Sequence, residues 1–414
     1  GAFGKSEFSA RFPSLLAGLA SLLLVFFFMK KACGWELACL AAAVLATTGA
    51  FQVLSGVVST DIFMCAATTL SMISFYLAMV EEDRMRSRMW GYLVFAGMGL
   101  SLLAKGPIGV VLTLVPIAAW TVYMKEYKGI LKKIPWFTGA LLSLLVALPW
   151  YILAERKTPG FLKYFIIGEH IQRFIQPGWK GDLYGTAHKQ IPGMSWAYLC
   201  VDVMPWLLLL AVMLFVMFKS EGFRNKLRER KALLAYLICW ILAPALFFTP
   251  ARNIQLTYVL PALPAFALLA ALLLGDVWEC ANEKIARHLT AAIFVFLISS
   301  VVVLAVAELI VMPVKANKKS HKELIGFIGK DSGGETSRIM YMTSRLPFSA
   351  MFYSDGKAEM IHCSESDISK LNSDPLQVYC ICPEDNPTLL GIIRRQNFTE
   401  LRTFSGDFIL FKKK

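Results

Sequence analysis

Charged residues are scarce in this chain. Asp, Glu, Lys and Arg together make up 17% of the 414 residues, apolar residues make up 57%, and the mean hydropathy is +0.56. A bilayer-spanning helix needs about 20 predominantly apolar residues, and runs of that kind recur along the sequence. The composition is therefore that of a polytopic membrane protein and not of a soluble domain.

Acidic residues are fewer than basic ones, 29 against 42, which gives a formal net charge of +13. A nucleic-acid-binding protein would gather such an excess on one soluble surface. Here most of the basic residues lie between apolar runs, where the positive-inside rule places them. We therefore expect a lipid bilayer around the chain and no nucleic-acid partner.

Cysteine is present in nine copies, but no CxxC pair and no metal-ligand spacing occurs. The chain also lacks an internal repeat, a low-complexity linker and a recognisable signal peptide. Six of the cysteines lie in or beside apolar segments and are expected to be packing residues: Cys33, Cys39, Cys65, Cys200, Cys239 and Cys280.

Ten apolar runs are long enough to cross a bilayer as helices. They lie near residues 12–29, 36–55, 61–80, 89–104, 107–124, 135–154, 194–218, 232–249, 256–274 and 289–313. The sequence thus predicts a mainly α fold, a polytopic membrane helix bundle of about ten spans.

The connections between these runs predict an orientation. Alternate connections hold seventeen basic residues, and the positive-inside rule makes that side cytoplasmic: Lys30, Lys31, Arg84, Arg86, Arg88, Lys125, Lys128, Lys132, Lys133, Lys219, Arg224, Lys226, Arg228, Arg230, Lys231, Lys284 and Arg287. The short connections on the other face contain Lys105 and Arg252 alone. The loop 155–193 and the tail from about residue 315 then lie outside the cytoplasm.

The start of the chain bears on the same topology. Residue 1 is placed outside, is glycine, and precedes a span that runs inward. A conventional cytoplasmic start would need an odd number of helices upstream, so we expect the sequence to be truncated at its N-terminus.

The tail has a more mixed composition, which predicts two domains: a transmembrane domain over 1–314 and a small α/β domain over 315–414. Short apolar stretches predict strands at SRIMYMT, AEMIHC, LQVYCIC and GDFILFKKK. The stretch NPTLLGIIRRQNF is predicted to be a helix. Cys380 and Cys382 would point the same way on a strand. A disulfide from one of them to Cys363 and three free thiols remain alternatives.

Two polar positions lie at the outer ends of predicted spans. In VVSTDIFM, Asp61 opens the third span, where Ser59 or Thr60 could cap the helix. It is either an acid favoured by the helix dipole or a functional carboxylate. In SLLAKGPIGVV, Lys105 precedes a helix stop and restart at Gly106 and Pro107. It is either an interfacial lysine that snorkels to water or a ligand-binding cation.

The outer loop contains GEHIQRF. On a helix, Glu169, His170 and Arg173 would share one face, either as a simple Glu–Arg pair or as part of a site. Glu169 and His170 are also possible ligands of a divalent metal ion, although two ligands fall short of a site. The Gly, Pro and aromatic residues that follow predict an ordered lid, with Tyr184 and His188 as further candidates.

A fourth stretch is TPARNIQLTYVLPALP. Tyr258 could belong to the interfacial aromatic belt, whereas Arg252 is a cation on the side with few cations. If Lys105, Arg173 and Arg252 converge, they form an anion site, since arginine binds phosphate bidentately and lysine supplies a point charge. An anion held at the membrane boundary under a lid suggests a lipid phosphate.

These stretches also carry a family resemblance over about residues 3–270. The chain resembles bacterial phospholipid-carrier-dependent glycosyltransferases of the GT-C fold, above all the aminoarabinose-type lipid A transferases, which are relatives of protein mannosyltransferases. The motifs that occur in the family's order are FGKSEFSARFPSLLAG, STDIFM, SLLAKGPIG, ALPWYI, GEHIQRF, MPW and TYVLPALPAFALLA.

The resemblance implies a polyprenyl-phosphate sugar donor, and a lipid A or other acceptor on the same side of the membrane. It puts Lys105, Arg173 and Tyr258 at the donor phosphate and Asp61 in the cavity. It puts Glu169 and His170 near a possible divalent metal ion, and it implies no organic cofactor. The family's acidic pair and its Lys-Pro-Pro motif should lie upstream of Gly1, so the main catalytic carboxylate is expected outside this chain.

Three other functions stay open at this stage. A protein O-mannosyltransferase-like enzyme would use a protein acceptor in place of a lipid. A secondary transporter would also contain many helices and buried charges, but it predicts inverted repeats and midplane sites. A membrane-anchored sensor would use the tail as its binding module and leave the outer loop unexplained.

Overall fold

The structure is a computed structural model that describes residues 4–182, 188–314, 320–343, 345–361, 364–404 and 408–414. It divides into two compact units, Gly1–Val302 and Val303–Lys414. The two units meet between Val302 and Val303, inside the last long apolar span, Glu283–Val314. The sequence predicted the boundary at the end of that span, after residue 314.

The named elements of the first unit are all helices. Its α-helices are α1 (Glu7–Cys33), α2 (Trp35–Ala46), α3 (Gly49–Gly56), α4 (Asp61–Val80), α5 (Arg84–Lys105), α6 (Pro107–Met124), α7 (Tyr127–Lys133), α8 (Trp136–Lys157), α9 (Arg173–Ile175), α10 (Met194–Asp202), α11 (Trp206–Met217), α12 (Glu221–Glu229), α13 (Lys231–Phe247), α14 (Leu263–Cys280) and α15 (Glu283–Val306). A π-helix over Lys163–Gln172 precedes α9, and a 3-10 helix over Leu256–Ala262 precedes α14.

The number of possible membrane crossings is close to the ten predicted. Within the described ranges, six helices are long and apolar enough to cross a bilayer, and up to nine if each of three bent helix pairs counts as one span. The bent pairs are α2 with α3 at 70°, α10 with α11 at 85°, and α12 with α13 at 77°. The remaining predicted span corresponds to α5, which is long enough but more polar, since three arginines stand in its first turns. The prediction of a membrane helix bundle is confirmed.

The helices differ in how deeply the unit buries them. The apolar span that includes α14 is 89% buried, whereas α8 and α15 are 22% and 11% buried. Close packing of α5 on α4 depends on Gly97, because a Cβ atom there would lie 2.7 Å from the carbonyl oxygen of Ala67. Small residues at such contacts are typical of helix packing in membranes. The helices α4 and α14 are thus the central ones, and the candidate site lies near their N-terminal ends.

The second unit contains a five-stranded mixed sheet of order β2-β1-β3-β5-β4. The strands are β1 (Ser337–Tyr341), β2 (Ala358–Met360), β3 (Gln377–Pro383), β4 (Phe398–Phe404) and β5 (Phe408–Lys413). The helices are α16 (Lys322–Asp331), α17 (Phe348–Tyr353), α18 (Glu365–Asn372) and α19 (Pro387–Arg395). β1 pairs in parallel with β2 and β3, and β5 pairs antiparallel with β3 and β4.

All four predicted strands are present, and the predicted helix corresponds to α19. The sequence prediction missed β4, because this edge strand exposes its five central residues and so lacks the alternating apolar pattern. Cys380 and Cys382 lie buried in one cluster on the same side of β3, as expected from their spacing. Cys363, the predicted disulfide partner, lies outside the described residues.

A buried histidine makes the stability of the second unit depend on pH. His321 is 6% exposed, its Nδ1 lies 3.0 Å from the Tyr341 hydroxyl oxygen, and burial lowers the pKa of its imidazole. The unfolded chain therefore binds a proton, near the usual pKa of about 6.5, more readily than the folded chain does. We expect the unit to lose stability as the pH falls below about 6.5.

Hydrogen exchange of the β1 and β3 amides, corrected for intrinsic pH dependence and followed by mass spectrometry on the full chain, measures this loss. His321→Gln should remove most of the pH dependence between pH 5 and 7. An unchanged slope in a folded His321→Gln protein would assign the effect to other groups.

Candidate functional site

A cavity of about 510 Å³ lies at the ends of several helices of the first unit. Its wall comes from α4, the turn between α5 and α6, α8, the loop from α8 to α10, the end of α13, and the segment that leads into α14. Its lining is mostly apolar and aromatic, with a small charged group at one side. Such a mixture fits a ligand with a long apolar part and an ionic head.

Lys105 enters this cavity at a tight turn. It ends α5, Gly106 follows with a φ of 77°, and Pro107 begins α6. Glycine is required at position 106, since the φ is left-handed and a Cβ atom would lie 2.8 Å from Nε2 of His170. The sequence therefore stops one helix and starts the next directly beneath the outer loop.

The ammonium group of Lys105 has two partners. It forms an ion pair with Asp61 and lies 4.8 Å from the ring centroid of Tyr258. Asp61 opens α4, and its Oδ2 lies 3.2 Å from the hydroxyl oxygen of Ser59, which also accepts a hydrogen bond from the Asp61 amide. Three predicted site residues that are distant in sequence thus meet at one point. The side chains of Asp61 and Lys105 are only 12% and 25% exposed, so solvent screens this pair weakly.

Arg173 brings a second charge to the same cavity. Its Nη1 lies 2.7 Å from Oε2 of Glu169 and 3.2 Å from Oδ2 of Asp182. Glu169 also accepts a hydrogen bond from the hydroxyl of Tyr164. The side chain of Arg173 is 16% exposed, and its Nε is buried without a hydrogen bond to any described residue. Arg173 is thus held between two carboxylates at the wall of the cavity.

The predicted helix over GEHIQRF is a π-helix in its first part. In a π-helix the hydrogen bonds run five residues back, so side chains five apart come together. The Tyr164–Glu169 hydrogen bond and the contact of Phe165 with His170 both have this spacing. The expectation that Glu169 and Arg173 share one face of a helix agrees with their ion pair, and the π-helical turn places Tyr164 beside Glu169.

The tentative metal ligands do not fit a metal in this geometry. Both ring nitrogens of His170 face backbone carbonyl oxygens, Nδ1 at 2.7 Å from Phe165 and Nε2 at 3.0 Å from Lys105. Glu169 is engaged by Tyr164 and Arg173. Among the described residues no three His, Cys, Asp or Glu side chains converge as metal ligands do. His170 instead ties the outer loop to the turn at Lys105.

Asn253 fixes the end of the loop. Its side chain, 3% exposed, donates to the carbonyl oxygens of Arg173 and Gln176 and accepts from the amide of Gly178 at 2.8 Å. The neighbouring Arg252 has an exposed side chain that lies outside the cavity lining, so its role at a phosphate stays a prediction.

His188, the other loop candidate within the described residues, is not among the residues that line the cavity. His188 is exposed, and its backbone carbonyl accepts a hydrogen bond from Ile254. Tyr184 lies outside the described residues. Sequence reasoning missed Tyr164, Asp182 and Asn253, although Asp182 stands in the GWKGDLYG stretch and Asn253 directly follows Arg252. The aromatic and glycine residues around Asp182 were the available signal for an ordered turn.

Comparison with known proteins supports the resemblance. Residues 2–165 match the family model described as dolichyl-phosphate-mannose-protein mannosyltransferase. The undecaprenyl phosphate-alpha-4-amino-4-deoxy-L-arabinose arabinosyl transferase of Aeromonas salmonicida (strain A449) is 30% identical over 296 residues, which cover 69% of this chain and 49% of the relative. The enzyme of the same name from Yersinia pestis (strain Pestoides F) is 29% identical over 296 residues, covering 68% and 48%. The chain spans about half the length of the curated relatives it matches.

Two solved structures share the fold. ArnT from Cupriavidus metallidurans bound to undecaprenyl phosphate aligns with a TM-score of 0.76 at 16% identity, over 99% of this chain and 85% of that chain. The apo state of the same protein aligns with a TM-score of 0.73, over 99% and 84%. The chain is therefore similar to the aminoarabinose transferases over about two thirds of its length, and its first 165 residues contain the match to the protein mannosyltransferase model.

Proposed function

We propose that this chain is part of an enzyme that moves a sugar from a polyprenyl-phosphate donor to lipid A or another acceptor outside the cytoplasm. One observation carries the proposal: Lys105, Arg173 and Tyr258, from three separate segments, line one largely apolar cavity. The apolar wall suits a polyprenyl chain, and the two cations suit its phosphate. The relatives named above include an enzyme that uses undecaprenyl phosphate-linked aminoarabinose and a structure with undecaprenyl phosphate bound.

The charged group explains how the leaving phosphate would be stabilised. During transfer the acceptor oxygen bonds to the anomeric carbon, the bond from that carbon to the phosphate oxygen breaks, and the phosphate keeps the electron pair. Lys105 and Arg173 would stabilise the charge that builds on this oxygen. Both cations already contact carboxylates, so the phosphate would take over contacts now made by Asp61, Glu169 and Asp182.

The role of Asp61 depends on the acceptor. A hydroxyl acceptor must lose its proton, and a carboxylate near the cavity could take it. An acceptor that is already a phosphate needs no such base. Asp61 is the described carboxylate next to Lys105, and its ion pair would be released when a phosphate binds Lys105.

A protein acceptor is the second candidate. The match to the protein mannosyltransferase model over residues 2–165 favours it, while the identity to arabinosyl transferases, which extends over 296 residues, favours a lipid acceptor. The similarity to glycosyltransferases favours both of these candidates over the transporter and the sensor.

An acceptor assay tests the proposal. The full-length protein in liposomes would receive undecaprenyl phosphate-linked aminoarabinose with either lipid A or a Ser/Thr-rich peptide, and products would be identified by mass spectrometry. We expect transfer to lipid A. Transfer to the peptide alone would favour the second candidate, and no transfer by a folded protein to either acceptor would contradict both.

We also propose that the cavity opens to the periplasm, as the distribution of basic residues favours. A single cysteine introduced by Lys189→Cys, in the outer loop, should react with a membrane-impermeant maleimide in spheroplasts. Lys128→Cys, in α7, should react only after lysis; both lysines are exposed, and the native cysteines would first be replaced. The reverse pattern would invert the orientation.

A further inference from the structure

The short helix α12 lies where two apolar helices meet the membrane boundary. It follows α11, whose end exposes Phe215 at 86% and Phe218 at 73%, side chains suited to lipid. It precedes α13 and is bent from it by 77°. Because α13 is apolar and long enough to cross most of the bilayer, a helix nearly perpendicular to it lies in the membrane plane.

The two sides of α12 differ. Phe223 is 2% exposed and Leu227 packs against the core of the unit, so one side is held by protein. Two cations at this end of the unit are tied to α14: Lys226 pairs with Glu279, and Arg230 lies 3.3 Å from the buried Asp276. These contacts hold α12 against α14, and the opposite side of α12 faces away from the protein.

The outward side carries cations without acidic partners. Lys219, Arg224, Arg228 and Lys231 are exposed, and none of them forms an ion pair with a described carboxylate. Arg224 and Arg228 are four apart and therefore adjacent. Among the described residues their guanidinium groups form hydrogen bonds only to neutral oxygens, the Lys219 carbonyl at 3.4 Å and the Asn225 side chain at 3.2 Å. Glu221 and Glu229 belong to the same helix and still do not pair with them.

We propose that α12 and its flanking lysines bind the phosphate groups of anionic phospholipids in the leaflet where the helix lies. The helix lies at the end of lipid-facing helices, where phospholipid headgroups are within reach. Its arginine side chains, which form no ion pair with a described carboxylate, carry the positive charge that binds an anionic headgroup. Zwitterionic phospholipids present the same phosphate with a compensating cation, so the site should prefer anionic lipid. This binding is independent of the reaction in the cavity.

The test uses the full-length protein purified in a neutral detergent. Dioctanoyl phosphatidylglycerol or dioctanoyl phosphatidylcholine is titrated in, and bound lipid is counted by native mass spectrometry. The variant is Arg224→Gln with Arg228→Gln, and the matched control is Lys125→Gln with Lys128→Gln, which removes the same charge from the connection between α6 and α8. Circular dichroism checks that each protein is folded.

We expect the arginine variant to lose roughly 30-fold in phosphatidylglycerol affinity, from about 1 kcal/mol per basic residue near the surface. Its phosphatidylcholine binding and the control's phosphatidylglycerol binding should stay close to those of the unsubstituted protein. An arginine variant that keeps its phosphatidylglycerol affinity would overturn the site. An equal loss in the control would also overturn it, because bulk charge would then explain the preference.

Discussion

Replacement of Lys105 by methionine should lower sugar transfer by roughly 10- to 150-fold. A hydrogen bond to a charged group is worth about 1.5 to 3 kcal/mol, and about 1.4 kcal/mol corresponds to a factor of ten. The loss should be the same with any acceptor, because Lys105 would contact the leaving group. The measurement is the transfer rate of the full-length Lys105→Met protein in liposomes beside the unsubstituted protein.

The structure adds a consequence for stability that the sequence did not show. Lys105→Met removes the ion-pair partner of Asp61, a side chain only 12% exposed, and an unpaired carboxylate in such a place is costly. The double variant Lys105→Met with Asp61→Asn should therefore unfold at a higher temperature than Lys105→Met alone, while transfer stays low. Transfer at the unsubstituted rate by folded Lys105→Met would return Lys105 to the role of an interfacial lysine.

The positions of Lys105 and Arg173 could be predicted from their context, but their partners could not. A cation between two apolar runs is expensive in a membrane, and this cost singles out Lys105 from the sequence alone. The pairing of Arg173 with Glu169 also follows from a spacing of four residues. Asp182 and Asn253 reach the site through folding of an irregular loop, whose path no periodic pattern encodes.

The same limit applies to the fold. Long apolar runs locate α1, α4, α6 and α8 because their signal is strong and local. The bends within three helix pairs depend on tertiary packing, and the π-helical turn depends on side chains such as Tyr164. The spacing of apolar residues along the sequence therefore does not reveal these features. In the second unit, the sequence did not predict edge strand β4, because its five central residues are exposed and show no alternation of apolar and polar residues.

The second large effect should come from Asn253→Ala. The amide side chain satisfies two backbone carbonyl groups and one backbone N–H of the segment that carries Arg173. The three hydrogen bonds are part-buried, so their loss should favour opening of the loop by about 1 to 3 kcal/mol in total. That corresponds to roughly a 5- to 150-fold increase in the open population.

Hydrogen–deuterium exchange of peptides that cover residues 163–178 measures this opening directly, with Lys189→Ala, an exposed neighbour, as the control. Exchange in other segments, for example in α4 and α14, should stay unchanged. The Asn253 side chain forms no hydrogen bond with either of these helices. Transfer should fall as well, because an open loop no longer holds Arg173 over the cavity, and the fall should appear as a higher KM for the donor. Protection of 163–178 equal to that of the control would show that the loop is held by Glu169, Asp182 and its aromatic contacts without help from Asn253.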